Sequence, residues 1–274
     1  DGIFRSDEEG RTWEEASNGL TTRHVRWMAY HPQISDLEFA GTEPANIFVS
    51  NNGGESWRAC PEVAELRDKF RWSLPYSPEA GCVRGFAFHG SRGYAAVEVG
   101  GVLVSNDNGE TWQLAEGSDG KPDLEGPPAP FIYPDVHSLD VHPSSPDLVY
   151  APTGGGFYRS SDGGKTWKLV YDCYCRAVWV DAQDPDHLIL GPADGVDRNG
   201  RIEETWDGGQ TWSMASNGIQ VPWRRSMVER FFQADDELFA VLSNGQLLST
   251  SLSALEWKRV LPNITGVNAM TAIA

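Results

Sequence analysis

An eight-residue pattern recurs along the chain and constrains it more than any other feature. Ser160-Ser161-Asp162-Gly163-Gly164-Lys165-Thr166-Trp167 has close copies from Ser105 to Trp112 and from Thr205 to Trp212. Ser50 to Trp57 and Ser6 to Trp13 follow it with Asn52 and Glu8 at the acidic position. A sixth copy, Thr250 to Trp257, has lost both the acid and the glycine. The copies begin at 6, 50, 105, 160, 205 and 250, a near-regular spacing that marks a repeat architecture. Each lies between short apolar runs such as Gly101 to Val104. The Asp and Gly-Gly positions supply the side-chain-to-backbone bonds and positive φ of a tight hairpin. Six of the 11 Trp close these copies and are expected in the core.

The pattern S-x-D-x-G-x-T-W resembles the Asp-box, or bacterial neuraminidase repeat. That repeat occurs in sialidases, xyloglucanase-type glycosidases, sortilin-type receptors and photosystem II assembly propellers. The resemblance covers nearly the whole chain. It implies a propeller in which each box joins the third and fourth strands of a blade, away from the family's active sites. The rest of each period fits four strands. Val25 to Tyr30, a turn at His31-Pro32, Leu37 to Gly41 and Asn46 to Val49 precede the second box. Val136 to Val141, His142-Pro143, Leu148 to Ala151 and Gly156 to Arg159 precede the fourth. Six boxes predict an all-β, six-bladed β-propeller as one domain over residues 1–274. The run from Val267 to Ile273 reads as a first strand and Asp1 to Arg5 as a third, so N- and C-terminal strands are expected to share a blade and close the ring. The missing second strand of that blade, and a start without Met, suggest a trimmed N-terminus.

Composition narrows the partners. The formal net charge is −17, which repels phosphate backbones and argues against broad nucleic-acid binding. No apolar run approaches the roughly 18 residues of a membrane span, and no signal peptide is visible, so a soluble protein is expected. Four Cys do not make a disulfide scaffold at this length. Cys60 and Cys82 flank one loop, and Cys173 and Cys175 form a CxC pair. Buried or free thiols are the simplest reading, and no cofactor or metal is expected.

Function is sought where first strands begin, because by resemblance they line a central channel. Aligning the first strands on the downstream turn puts Arg26, Arg84, His137, Arg176, Glu229 and Asn268 at one equivalent position. In the last full repeat Arg230 competes with Glu229. Met28, Phe86, Leu139, Val178, Phe231 and Met270 form an apolar layer two positions on. Three arginines at one level either hold an anion or pair with carboxylates such as Glu229, Glu98 or Asp140. Two long insertions, near residues 61–81 and 117–135, enter the same face. In the first, Val63 to Phe70 reads as a short helix. Trp72, Tyr76, Phe131, Tyr133, Tyr174 and Trp223 offer apolar walls. His31, His89, His142 and His187 fall at turns and read as structural, whereas His24 and His137 lie at the channel mouth.

These positions define the expected site. Arg26, Arg84, Arg176, Asn268, Trp72 and His24 would bind substrate, and His137, Glu229, Glu98 and Tyr133 would supply acid–base groups. Glu43, Asp135, Asp194 and Asp197 are further acidic candidates. The expected activity is a glycosidase-like hydrolase or lyase acting on a small anionic ligand, such as an acidic sugar. The sialidase F/Y-R-I-P motif is missing, and Pro222-Trp223-Arg224-Arg225 does not replace it, so a standard sialidase is not expected. The alternatives are a non-catalytic propeller recognising an acidic peptide or protein partner, and a metal enzyme using His24, His137 and cysteine.

Overall fold

The computed structural model describes residues 1–264 and 266–270. Five four-stranded antiparallel sheets follow one another along the chain. The first comprises β3 (Val25–Tyr30), β4 (Glu38–Thr42), β5 (Ile47–Ser50) and β6 (Arg58–Ala59), after a separate hairpin of β1 (Phe4–Arg5) and β2 (Glu14–Glu15). Helix α1 (Pro61–Phe70) leads to the second sheet: β7 (Cys82–His89), β8 (Arg92–Glu98), β9 (Gly101–Ser105) and β10 (Gln113–Leu114). The third has β11 (Asp140–Val141), β12 (Val149–Thr153), β13 (Gly156–Ser160) and β14 (Lys168–Tyr171). The fourth has β15 (Tyr174–Val180), β16 (Leu188–Ala193), β17 (Glu203–Thr205) and β18 (Ser213–Met214). The fifth has β19 (Val228–Ala234), β20 (Glu237–Leu242), β21 (Leu247–Ser251) and β22 (Lys258–Val260). The chain divides into two compact units, Asp1–Val149 with Ser160–Lys168, and Tyr150–Arg159 with Leu169–Ala274.

The expectation of six blades is corrected to five. A box builds only the outer hairpin of a blade, and a blade also needs two inner strands. Among the described residues the first box has its hairpin alone, β1 on β2. Trp13 is consequently 62% exposed, whereas Trp57, Trp112, Trp167 and Trp257 are 5% exposed or less. Of the expected closing strand, residues 267–270 are irregular, and 271–273 lie outside the described residues. Helix α1 forms where expected, two residues earlier than its apolar run, with Pro61 starting it and Arg71 (φ 56°) ending it.

The box geometry repeats in detail. Ser105 Oγ donates to Asp107 Oδ1 at 2.7 Å and accepts from the Gly109 amide at 2.9 Å. Asp107 Oδ1 accepts from the Thr111 amide at 3.0 Å, and Oδ2 from the Thr111 hydroxyl at 2.6 Å. Ser160, Asp162 and Thr166 repeat this, as do Thr205, Asp207 and Thr211. The turn histidines act as ties. His31 Nε2 lies 3.2 Å from the Gly90 carbonyl, and His89 Nε2 lies 3.0 Å from that of Pro143.

A bulge interrupts four of the five inner strands, always at the aligned position. Val25 faces Thr42 and Trp27 faces Gly41, leaving Arg26 as the extra residue. Val83 faces Val97 and Gly85 faces Ala96, which leaves Arg84. Cys175 faces Pro192 and Val178 faces Leu190, so Arg176 and Ala177 stand against Gly191. Val228 faces Leu242 and Arg230 faces Val241, so Glu229, not Arg230, is the extra residue. An extra residue twists the strand and re-aims its side chain, which is how sheets commonly present functional groups.

Candidate functional site

In the first unit, each bulge arginine meets a buried carboxylate from the end of the adjoining strand. Arg26 Nη1 donates to Glu43 Oε2 at 2.6 Å, and the Glu43 side chain is 3% exposed. Ser77, from the first insertion, donates to Glu43 Oε1 at 2.7 Å. His24 Nδ1 is 3.9 Å from Glu43 Oε2, with its side chain half exposed. Arg84 Nη1 donates to Glu98 Oε2 at 2.9 Å. Burial, then a hydrogen bond to Glu98, pushes the Tyr76 hydroxyl up from its usual range. Between these pairs lies Cys82, facing Arg26, Glu98, Arg84 and Glu43; burial pushes its thiol up to about 12.

The densest convergence adds the third inner strand's approach. His137 is buried, and its Nε2 lies 3.2 Å from Asp135 Oδ2. Single donor atoms of Glu98, Asp135 and His137 lie within 4.8 Å of one another. Two carboxylates and an imidazole, with Arg84 holding one carboxylate in place, form a set able to give and take protons. The same three could also ligate a cation. Three residues on, burial pushes Asp140 up to about 6 against the hydrogen bond from the Val141 amide.

In the second unit the bulge arginine meets a carboxylate from the next sheet's bulge instead. Arg176 Nη1 is hydrogen-bonded to Glu229, and its Nε and Nη2 donate to Tyr174 Oη at 3.3 and 3.2 Å. Burial would lower Arg176, but Glu229 and Tyr174 outweigh it and hold the guanidinium charged.

Other expected site residues are placed elsewhere. Trp72 is 2% exposed in the core and donates through Nε1 to the Gly120 carbonyl at 2.8 Å. Tyr133 donates its hydroxyl to the Leu124 carbonyl at 2.7 Å. Asn268 is exposed on an irregular segment. None of the four cysteines is in a disulfide. Ser77 was not singled out in the sequence, because nothing in a loop's composition says which carboxylate it will reach.

A family model, the BNR/Asp-box repeat, matches residues 103–114 and 158–169, which are the box hairpins of the second and third sheets. The chain carries Asp-box repeats on a β-propeller fold. The repeat chain is 22% identical over 260 residues to an oligoxyloglucan-reducing end-specific xyloglucanase of Emericella nidulans. A probable enzyme of the same description from Neosartorya fischeri is 24% identical over 253 residues. These matches cover 78% and 81% of this chain but only 31% and 28% of those proteins. Among solved structures, an ancestral GH74 enzyme superposes with a TM-score of 0.68 at 18% identity, covering 90% of this chain and 33% of that one. The GH74 xyloglucanase from Xanthomonas campestris gives 0.68 at 15% identity, covering 95% and 42%. YCF48 bound to D1 peptide gives 0.57 at 15% identity, covering 90% and 70%. At these identities the structural likeness establishes the fold. No helix among the described residues is long and apolar enough to cross a membrane.

Proposed function

We propose that this Asp-box propeller is a glycosidase-like hydrolase acting on an oligosaccharide, with Glu98 and Asp135 as its working carboxyl groups. The observation that carries this reading is their convergence with buried His137, within 4.8 Å. Hydrolysis of a glycosidic bond needs one carboxyl group to protonate the leaving oxygen and a second to act on the anomeric carbon or on water. Carboxyl groups about 5–5.5 Å apart suit direct attack, whereas a water between them needs roughly 6.5–9.5 Å. With one oxygen from each within 4.8 Å, we take direct attack with retention of configuration as the expected course. Arg84 and Tyr76 fix Glu98 for attack, and Asp135, in contact with His137, exchanges the proton with the leaving group. The xyloglucanase relatives support a sugar as substrate.

The sugar is neutral in this reading. An incoming carboxylate would have to displace Glu43 from Arg26 or Glu98 from Arg84, and both are almost fully buried in place. Glu98→Gln and Asp135→Asn are each expected to lower turnover of a neutral polysaccharide panel by about 10²–10⁴-fold while the fold is kept. Proton NMR of the first product is expected to show the retained anomer. Unchanged turnover in both variants would remove the assignment, and cleavage confined to uronic-acid or sialic-acid substrates would restore the anionic ligand. Binding of an acidic peptide with no cleavage of any sugar would favour recognition instead.

A further inference from the structure

The fifth box differs from the others at its second position. The equivalent residues are Asp7, Asn51, Asn106, Ser161 and Ser251, all small and polar; here the residue is Trp206. Trp206 is 63% exposed, yet it does not hang loose. Its indole lies flat on the His187 imidazole, with ring centroids 3.5 Å apart and planes 7° from parallel. Trp179 meets the same imidazole edge-on at 5.3 Å. His187 is in turn held at both nitrogens: Nδ1 is 2.8 Å from Asp181 Oδ2, and Nε2 is 2.9 Å from Glu204 Oε1. One indole face is thus clamped from below and the other is presented to solvent.

We infer that Trp206 is the floor of a binding subsite for a neutral pyranose ring. A flat aromatic face offers area to the C–H face of a sugar, and a pre-oriented ring loses little freedom on binding. The charges around it decide the ligand class. Asp181, Asp186, Glu204 and Asp207 all belong to this corner, which repels phosphates, sulfates and acidic sugars. Hydroxyl groups suit the rim, where Arg159 Nη1 donates to Asp186 Oδ1 at 2.6 Å beside Gly208. The same pair, Arg92 with Asp147, recurs beside Gly163, where the box carries Ser161. The rim belongs to the repeat, and the aromatic floor is the addition.

The test is independent of hydrolysis and uses the Glu98→Gln background so that ligands survive. Isothermal titration with neutral cello- and xyloglucan-derived oligosaccharides, read beside indole fluorescence, is expected to show binding. Trp206→Ala should weaken that binding at least ten-fold with the melting temperature unchanged, and Trp206→Phe should stay within about three-fold of the parent. Equal affinity in Trp206→Ala, or no binding at millimolar oligosaccharide, would overturn the subsite. So would tetramethylammonium perturbing the Trp206 signal more than the sugars do. Oligosaccharide binding that depends on Trp206 in a protein that cleaves nothing would uphold the subsite and reject the hydrolase.

Discussion

Asp207 and Asp140 show how one residue type serves opposite ends here. Asp207 is held down at about 2, first by the Thr211 hydroxyl, then by the Thr211 amide and Thr205. Its folded value lies below the usual unfolded value of about 3.9. Its contribution is therefore complete above that value and disappears as pH falls through about 2. Asp207→Asn should lower the urea midpoint at pH 7 and match the parent near pH 2. Asp140 runs the other way, pushed up to about 6 by burial. Its stability contribution is present when it is protonated, at low pH, and is lost as pH rises through about 6. Asp140→Asn keeps an acceptor for the Val141 amide, and should raise stability at pH 8 by about 1–2 kcal/mol with little change at pH 4. The thiols give a third expectation. Cys60 and Cys82 are pushed up to about 12, mainly by burial, whereas Cys173 is only half-buried. Native-state alkylation at pH 8, followed by mass spectrometry, should label Cys173 well before either.

The bulges are what the elements contribute. Alignment of first strands on the downstream turn put Arg26, Arg84, Arg176 and Glu229 in one class, and each sits in an equivalent bulge. That much was legible because turn and strand lengths repeat, so register survives without coordinates. The partners were less so. Glu98 and Glu229 were weighed as carboxylates for the arginines, but Ser77 on Glu43 and Tyr76 on Glu98 depend on how an insertion folds back. Trp72 looked like a wall residue in the same insertion and packs instead into the core, since a loop's aromatic residues serve either purpose. Neighbouring sheets also approach closely beside the bulges. A Cβ on Gly41 would lie 2.5 Å from the Val83 carbonyl oxygen, and one on Gly191 would lie 2.5 Å from Val228 Cβ. Gly41→Ala and Gly191→Ala should each cost about 1–3 kcal/mol, measured by denaturant unfolding, because backbone and branched side chain cannot yield. Substitution at Gly90, where a Cβ would meet nothing within 4 Å, costs only the strain of its positive φ.

Among the described residues, boxes outnumber blades. The boxes were unmistakable in the sequence because their bonds run between residues two to four apart, within one short segment. Blades were less so, because two inner strands must be supplied from elsewhere in the repeat, and among the described residues the first box has none beside it. The Trp slot reports the difference. Trp257, 1% exposed, donates to the Ala215 carbonyl at 2.8 Å and packs with Leu238, Ala240 and Leu248. Trp257→Ala should cost about 3–5 kcal/mol, whereas Trp13→Ala should cost less than about 0.5 kcal/mol, as exposed substitutions do; thermal unfolding of the two variants separates them.

The solitary hairpin of β1 and β2 has a temporal consequence. Its backbone ladder is two residue pairs long, Phe4 with Glu15 and Arg5 with Glu14. Ile3 and Ala16 tie its base to Phe48 and Trp57, but Phe4, Glu14 and Glu15 are exposed, so the ladder itself can open without waiting for a larger unit. Amide deuteration there should proceed by local fraying, orders of magnitude faster than in β8 or β20, which lie between paired neighbours and open only when their unit does.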